Sequence, residues 1–449
     1  MQYITLLDYL ILPFVLLAVY ALAYRYRNKH YGPRHPYRNY FIPGLTVKIA
    51  AAVLIGLIYA YYYKGGDTFN FFYHSKVINS AFADSPVKWV NLLLRRPEPT
   101  SIGYYQYISQ MEWYGDPSSY MVAAFAAFIS LLFANTYLPT AVIFAVISFS
   151  GSWAMFRAFA GIYPKYIKQV AIAMLFVPGV VIWGSGIFKD TICLAALGWL
   201  TYSVFQILVK RNLGFKNLAL VAISLYLTYM VKLYILMAFI PALLVWVMFI
   251  YTARIRSAAA RAVINLSVFA LIGLISFYTL NLLGREYLGK YSIENITETA
   301  QTTAAWINYS SGDEGSAYDL GDISTPGQML AKLPLAVNVT LFRPYLWESR
   351  KVIVLISALE SFLFLLLTLK VFFAVGPKKV WKTLTSDPTI QFCLIFTVIF
   401  AFAVGISTYN FGALSRYKIP CIPFYALFLL LIYYKNIPEK RPLFKMFNI

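Results

Sequence analysis

The chain has 449 residues, of which 60% are hydrophobic, 18% are aromatic and only 12% are charged. The 38 Lys and Arg outnumber the 18 Asp and Glu, but they cluster in short segments between apolar runs, which indicates membrane topology and contact with lipid headgroups and excludes nucleic-acid binding. Three cysteines without a Cys-x-x-Cys pair, three scattered histidines and the lack of a P-loop or Rossmann glycine pattern argue against a disulfide framework, a zinc site, ATP hydrolysis and dinucleotide chemistry. The composition predicts an all-α, polytopic membrane protein.

Eleven apolar stretches are predicted to cross the bilayer, since about 17–25 apolar residues match a hydrocarbon core of about 30 Å. They cover residues 4–24, 41–62, 139–156, 169–183, 189–209, 217–231, 235–252, 262–282, 352–374, 389–407 and 418–434. A further apolar segment, residues 119–136, contains Asn135 and is separated from the next stretch by no charged residue. We expect this segment to be re-entrant or to lie at the interface.

The basic clusters predict the orientation, because short cytoplasmic loops are enriched in Lys and Arg. The five clusters are Arg25 to Arg38, Lys210 to Lys216, Arg254 to Arg261, Lys378 to Lys382 and Lys435 to Lys445. With all five in the cytoplasm, the N-terminus lies outside, the C-terminus lies inside and the number of crossings is odd. Eleven crossings meet this condition and also place Arg157, Lys165 and Lys168 inside.

The same topology leaves two large exoplasmic loops, residues 63–118 and 283–351, in a chain that we expect to form a single integral membrane domain over residues 1–449. The short turns around Lys189, Lys232 and Arg416 open on the same face. The sequence therefore predicts one functional site at the exoplasmic surface.

The first exoplasmic loop begins with the sequence Lys-Gly-Gly-Asp-Thr at residues 64–68. The two glycines allow a tight turn, which places Asp67 at or near the start of a short helix that also carries His74. Asp67 is predicted to be a catalytic or substrate-binding carboxylate where a lipid-borne substrate meets water. A simple helix N-cap is the alternative interpretation.

A second motif, Trp-Gly-Ser-Gly-Ile-Phe-Lys-Asp-Thr at residues 183–191, lies between two apolar runs. Lys189 and Asp190 are costly so close to hydrocarbon unless they are paired or hydrated, so they are functional candidates, with structural pairing as the alternative. Asp190 is expected to orient Lys189. Lys232 adds a further cation in the middle of the chain.

The third motif ends the second exoplasmic loop. The fourth motif, Ser-Arg-Tyr-Lys-Ile-Pro at residues 415–420, lies at the start of the last span. Arg343, in Phe-Arg-Pro-Tyr-Leu-Trp-Glu-Ser at residues 342–349, can present a bidentate fork to phosphate, while Trp347 suits either sugar stacking or an aromatic belt. The predicted phosphate-binding residues are Lys189, Lys232, Arg343 and Arg416. The predicted supporting residues are Asp190, His74, Trp347, Glu348 and Tyr417.

Charged residues within the apolar stretches are expected to have partners. Glu360 lies inside a span, and we expect it to face the helix bundle and to hydrogen-bond a neighbour. Asp8, Lys48 and Lys370 lie nearer span ends, where we expect them to pair or to extend their charged groups toward the interface.

Taken in order, these motifs resemble bacterial membrane glycosyltransferases of the GT-C type and the neighbouring oligosaccharide repeat-unit polymerases. The resemblance is carried by Gly66–Asp67–Thr68 with Tyr73, Ser185–Gly186 with Lys189–Asp190 after Pro178, Arg343–Pro344 with Trp347–Glu348 ahead of Glu360, and Arg416–Tyr417–Lys418 with Pro420 and Pro423. It implies that Asp67 is the base that deprotonates the acceptor hydroxyl and that the donor is a sugar on a polyprenyl phosphate. The chain departs from the GT-C pattern in its additional first span and in having Thr68 where a second acidic residue often follows.

The resemblance implies sugar transfer in cell-envelope polysaccharide or glycoconjugate synthesis, in the inner membrane of a bacterium. The expected partners are a polyprenyl-phosphate-linked sugar, a carbohydrate or glycolipid acceptor and the lipid bilayer, without nucleic acid. No metal or organic cofactor is indicated, although a divalent cation is compatible with the reaction. A repeat-unit polymerase, a transporter of a lipid-linked solute and a non-catalytic membrane scaffold are the alternatives.

Overall fold

The structure is a computed structural model, and its regular elements are helices wherever the chain is described. The described residues are 3–252, 317–321, 325–349 and 352–437, with a few separate positions between 255 and 302. Within them the one β-bridge joins Ala317 to Asn410, and no strand is present. The predicted all-α class is therefore confirmed.

The chain forms two compact units, Met1–Leu233 (the first unit) and Tyr234–Ile449 (the second unit). The first unit contains ten helices among its described residues and the start of an eleventh. These helices are α1 (Leu6–His30), α2 (Arg38–Leu57), α3 (Asp67–Asp84), α4 (Pro86–Leu93), α5 (Tyr105–Ile108), α6 (Pro117–Leu131), α7 (Tyr137–Ile162), α8 (Ile167–Leu175), α9 (Pro178–Trp183), α10 (Lys189–Leu208) and α11 (Phe215–Thr252). A π-helical turn, Ile58–Tyr62, extends α2.

The close packing of α7 on α10 depends on two glycines. A Cβ atom at Gly198 would lie 2.1 Å from the carbonyl oxygen of Gly151, and one at Gly151 would lie 2.3 Å from the carbonyl oxygen of Ala195. Small residues at a helix crossing allow two backbones to touch, which is a common way for membrane helices to associate. The two helices are thereby held in direct backbone contact.

The predicted first exoplasmic loop is a compact helical layer rather than an irregular segment. Helices α3, α4, α5 and α6 enclose a small apolar core that includes Ile78, Leu92, Tyr107 and Ala127. The Tyr120 hydroxyl crosses this core to donate a hydrogen bond of 2.6 Å to the Leu92 carbonyl. Proline at the first position of α4 and α6, each after a capping Ser or Asp, starts these helices in a favourable way.

The second unit is held together by aromatic side chains and by one close helix contact. Its helices from residue 326 onward are α12 (Pro326–Ala331), α13 (Leu333–Phe342), α14 (Val352–Val375), α15 (Pro377–Ser386), α16 (Pro388–Thr408), α17 (Phe411–Tyr417) and α18 (Ile422–Asn436). The rings of Phe239, Phe396 and Phe424 are buried together, with ring centroids of Phe396 and Phe424 4.7 Å apart. A Cβ atom at Gly405 would lie 2.3 Å from the carbonyl oxygen of Ala336, so α13 and α16 touch.

Seven helices of the described residues are long and apolar enough to cross a membrane, and the count is eight if α17 and α18, bent by 68°, form one broken span. The seven are α1, α2 with its π-helical turn, α7, α10, α11, α14 and α16. Six of them coincide with the predicted stretches 4–24, 41–62, 139–156, 189–209, 352–374 and 389–407, and α11 covers two predicted stretches, 217–231 and 235–252. The multi-pass helical character is therefore supported, while the number of crossings stays a prediction.

The remaining predicted stretches differ from simple spans. Residues 169–183 fold as two short helices, α8 and α9, separated at Val177. The predicted pair 217–231 and 235–252 lies in α11, which is broken at Lys232 (φ −149°, ψ 81°). Helix α6, in the predicted re-entrant segment, has 15 residues and is about 22 Å long, shorter than a bilayer core of about 30 Å. Residues 262–282 lie largely outside the described residues.

Candidate functional site

Asp67 is the first residue of α3, directly after a turn that only glycine tolerates well. Gly65 and Gly66 have φ angles of 148° and 113°, and a Cβ atom at Gly66 would lie 2.7 Å from the Tyr59 ring. The Gly66 carbonyl accepts hydrogen bonds from the amides of Phe69 and Asn70, which closes the first turn of the helix. Asp67 is therefore a half-buried carboxylate at the helix start, as predicted, although Gly66 rather than Asp67 occupies the N-cap.

The residues after Asp67 anchor this helix start in the core of the first unit. Thr68 and Tyr137 share a buried hydroxyl–hydroxyl hydrogen bond of 2.7 Å. Phe69 packs between the rings of Tyr3 and Tyr137, with both centroid distances at 4.4 Å. Two side chains thus hold the helix start, while the neighbouring carboxylate remains half-exposed.

His74, predicted to support the site, lies in the aromatic core of the first unit. Its ring is buried and packs edge-on against Trp113 at a centroid distance of 5.3 Å. Its Nδ1 has no hydrogen-bond partner in the structure. Burial lowers the pKa of His74 to about 4, so the ring is neutral at physiological pH.

Lys189, the first residue of α10, pairs with Asp116 rather than with its neighbour Asp190. The Lys189 Nζ lies 3.1 Å from an Asp116 carboxylate oxygen, and the two side chains are 23% and 47% exposed. Asp116 also caps α6 by accepting hydrogen bonds from the amides of Ser118 and Ser119. Burial acts to raise the pKa of Asp116, but the hydrogen bond from Ser119 and the charge of Lys189 outweigh it and lower the pKa.

Asp190 forms an ion pair with Lys232, where α11 is broken. The side chains of Asp190 and Lys232 are 1% and 6% exposed, so this pair is enclosed by protein. The expectation that Asp190 orients Lys189 is corrected: within the first unit, each of the two residues has its own partner of opposite charge. Both residues are paired, although not with each other, which fits the high cost of an isolated charge close to hydrocarbon.

The first two sequence motifs meet at Tyr59. Gly66, which precedes Asp67, lies close to this ring, and Phe188, which precedes Lys189, packs on it at a centroid distance of 5.9 Å. The residues that precede Asp67 and Lys189 therefore both pack on Tyr59. Two carboxylate–ammonium pairs follow from the second motif, Asp116 with Lys189 and Asp190 with Lys232. We call these residues the first-unit cluster.

Lys48, which was expected either to pair or to extend toward the interface, is buried and has partners. Lys48 does not reach the interface: it is the eleventh residue of α2, is 1% exposed, and donates hydrogen bonds to the carbonyls of Val180 and Gly184 at 2.9 and 3.0 Å. A third hydrogen bond, of 3.2 Å, goes to the Ser148 hydroxyl. The Val180 carbonyl also accepts the Gly184 amide, whereas the Gly184 carbonyl lies just after α9, where the helical hydrogen bonds stop. The sequence feature that could have indicated this buried position is a single Lys within an apolar stretch.

Asp8 supports the expectation that charged residues within spans are paired. Its carboxylate accepts hydrogen bonds from the Thr5 amide and hydroxyl and, at 2.8 Å, from the amide of Leu138 near the start of α7. A carboxylate at a helix N-terminus is stabilised by the free amides and by the helix dipole. Asp8 therefore connects the first turns of α1 and α7.

In the second unit, Arg343 lies among aromatic rings and is held by Glu348. The guanidinium is 5.1 Å from the ring centroid of Phe411 and 5.7 Å from those of Tyr318 and Tyr345. Its Nε and one Nη donate hydrogen bonds to the Glu348 carboxylate. This bidentate geometry fixes the plane of the guanidinium.

Lys418 holds the main chain of Arg343 from the opposite side. It is 1% exposed at the bend between α17 and α18, and its Nζ lies 2.6 Å from the Ser361 hydroxyl and 3.3 Å from the Arg343 carbonyl. Ser361 also donates to that carbonyl at 3.0 Å. Glu360 is buried, as expected, and its negative charge acts on Lys418.

The third and fourth motifs therefore also meet, because Phe411 and Arg416 both belong to α17. Arg416 is half-buried, and Tyr417 is exposed at the end of the same helix. Trp347 is 80% exposed and stacks on Tyr345 at 5.0 Å, so it forms an open aromatic surface beside Arg343. We call Arg343, Glu348, Trp347 and Lys418 with their ring contacts the second-unit cluster.

No family model, no curated protein and no solved structure matches this chain. Among the described residues, no group of three or more His, Cys, Asp or Glu side chains could hold a metal ion. The two clusters are therefore the features of the described residues that bear on function.

Proposed function

We propose that the protein transfers a sugar from a polyprenyl-phosphate-linked donor to an acceptor hydroxyl at the exoplasmic face of a bacterial inner membrane. The observation that supports the proposal is that Asp67, a half-exposed carboxylate, begins the helix that follows the membrane-spanning helix Arg38–Tyr62, and that the residues just before Asp67 and Lys189 both pack on Tyr59. A lipid-linked sugar has its reacting bond at the membrane surface, where we expect the Asp67 base and the Lys189 cation to lie.

The chemistry follows from these roles. The acceptor oxygen attacks the anomeric carbon, the bond from that carbon to the phosphate oxygen breaks, and the acceptor proton passes to Asp67. A positioned base contributes roughly 10²–10⁴-fold. The lipid phosphate leaves as an anion and needs no proton, so cations that stabilise its charge are sufficient on the leaving side.

Lys189 suits this leaving-group role better than Lys232 does. The Asp116–Lys189 pair is partly exposed, and an exposed ion pair is worth only about 0–1 kcal/mol, so a phosphate can share the three ammonium donors with Asp116. Lys232 and Asp190 are enclosed, and opening that pair would cost much more. We therefore assign Lys232 to positioning rather than to phosphate binding.

The proposed topology has eleven crossings, with the N-terminus outside and the C-terminus inside. Seven apolar helices and the bent pair α17–α18 contribute eight. The second half of α11, the pair α8–α9 and the apolar stretch 262–282 contribute the other three. Helix α6 is too short for a simple crossing and lies at the interface or re-enters the membrane.

A repeat-unit polymerase is the second candidate, and the second-unit cluster favours it. In that reaction the donor carries a pyrophosphate, so the arginine matters more than the carboxylate base. Arg343 keeps one Nη without a hydrogen bond to another described residue, and the exposed Trp347 beside it offers an apolar face to a sugar.

The deciding experiment measures transfer from radiolabelled polyprenyl-phosphate sugars in proteoliposomes at equal expression. Asp67→Asn and Arg343→Ala are compared with two exposed controls from the first exoplasmic loop, Glu112→Gln and Arg96→Ala. The transferase proposal predicts at least a 100-fold loss in Asp67→Asn and less than a twofold change in either control, whereas the polymerase predicts the larger loss in Arg343→Ala.

Two other outcomes would contradict the transferase. Loss in Arg343→Ala alone, with turnover only of pyrophosphate-linked oligosaccharides, would support the polymerase. No turnover of any lipid-linked sugar by the folded wild-type protein would favour a transporter or a scaffold.

A further inference from the structure

The short helix α15 connects two membrane-spanning helices and is fixed to the second unit by one of its faces. Val380 is buried and Leu384 is half-buried, and the Thr383 hydroxyl lies 3.2 Å from the side-chain oxygen of Asn436 in α18. These contacts at positions 380, 383 and 384 determine which face of the helix points away from the protein.

The outward face of α15 is basic and carries a large aromatic residue. Lys378, Lys379 and Lys382 are exposed, and Trp381 is 67% exposed. The helix contains no acidic residue, and the negative charge of Asp387, which follows it, pairs with Lys435. Within the described residues, the three ammonium groups make no hydrogen bond or ion pair, so this face carries about three uncompensated positive charges.

The position of α15 relative to the bilayer follows from the helix before it. Along α14, the exposed side chains Leu366, Leu369 and Phe373 recur every three to four residues and form one apolar stripe, and Phe373 is 84% exposed. Such a stripe on a membrane-spanning helix faces lipid chains. Helix α14 ends at Val375, and α15 begins at Pro377, so the basic face lies where the stripe reaches the lipid headgroups.

We propose that the outward face of α15 is a binding site for the phosphate headgroups of anionic membrane lipids. Lys378, Lys379 and Lys382 bind the phosphates, and Trp381 inserts its ring at the headgroup level, where amphipathic rings are stabilised. The occupant is a lipid rather than a soluble phosphate because the lysines adjoin a lipid-facing stripe. This inference does not depend on the proposed sugar transfer.

The test is native mass spectrometry of the full-length protein in detergent, titrated with phosphatidylglycerol or with phosphatidylcholine of the same acyl chains. The variant carries Lys378→Gln, Lys379→Gln and Lys382→Gln together. A matched control carries Lys210→Gln, Arg211→Gln and Lys216→Gln, which removes three exposed cations of another basic cluster. Thermal unfolding of each variant confirms that all are folded.

Wild type is expected to bind the first phosphatidylglycerol more tightly than phosphatidylcholine. Because a basic residue near an anionic surface contributes about fivefold in affinity, the α15 variant should lose at least tenfold for phosphatidylglycerol, while the control loses less than threefold. Equal losses in both variants would show diffuse charge attraction and overturn the proposal, as would an unchanged affinity in the α15 variant. Competition by free glycerol phosphate would overturn the assignment to lipid.

Discussion

The buried pair of Asp190 and Lys232 gives the sharpest stability prediction. Both side chains are less than a tenth exposed, so each has lost its water, and the pair lies at the break in α11. Removing one partner of such a pair costs about 3–5 kcal/mol, because the other charge stays buried without compensation. Asp190→Asn and Lys232→Met are each expected to lower the free energy of unfolding by this amount.

Replacing both members tests the reason for the loss. The double variant Asp190→Leu, Lys232→Met buries two apolar side chains and should recover most of the stability lost in the single variants. The matched control is Asp116→Asn, which keeps the cap on α6 but removes a partly exposed ion pair worth about 0–1 kcal/mol.

The assay is equilibrium unfolding in mixed micelles, followed by circular dichroism and by intrinsic fluorescence. The order expected for stability is wild type, then Asp116→Asn, then the double variant, with the two single variants of the buried pair lowest. The reasoning is refuted if Asp190→Asn loses no more than Asp116→Asn, or if the double variant is less stable than both single variants.

Two further predictions concern packing and pH. Gly184→Ala places a Cβ atom 2.7 Å from the Lys48 Nζ and should destabilise the protein by about 1–3 kcal/mol, whereas Gly115→Ala, with open space around it, should change stability by less than about 0.5 kcal/mol in the same unfolding assay. Because the pKa of His74 is about 4 in the folded state and 6.5 in the unfolded chain, the unfolded chain binds more protons between these values, so the free energy of unfolding should fall by about 2 kcal/mol as the pH drops from 7 to 5. Unfolding temperatures of wild type and His74→Phe at pH 7 and pH 5 check this, and an identical pH dependence in the two proteins would contradict it.

The apolar stretches of the sequence predicted most helices well, because membrane spans need long runs of apolar residues that satisfy their own backbone hydrogen bonds. The glycines at 65 and 66 likewise predicted the turn before Asp67, since few other residues adopt those φ angles. Both features depend on residues that are adjacent in sequence, so both can be predicted from the sequence alone.

The pairing of charges could not be predicted in the same way. Lys189 and Asp116 are 73 residues apart in sequence, and Asp190 and Lys232 are 42 residues apart. Which carboxylate reaches which ammonium depends on how distant helices pack, so the choice of Asp190 as the partner of Lys189 followed sequence proximity and was wrong. The Asp-Pro-Ser-Ser sequence at 116–119 is typical of a helix start, but no nearby residue indicates that Asp116 pairs with Lys189.

Lys48 shows the same limit. A lysine within an apolar run indicates a buried partner or an interfacial ammonium, and the sequence cannot distinguish the two. The acceptors are the main-chain carbonyls of Val180 in α9 and of Gly184 just after it, which packing brings to Lys48 from more than 130 residues away in sequence.

The glycine contact between α7 and α10 also constrains motion. Because the two backbones approach so closely at Gly151 and Gly198, movement of one helix across the other would bring main-chain atoms into contact. Residues 163–188 connect these two helices, and their α-helical parts, α8 and α9, are interrupted before α8, between α8 and α9, and after α9. Lys189 is the first residue after the last of these breaks, so a change in the shape of the connecting segment would act on Lys189 before it reaches the rest of α10.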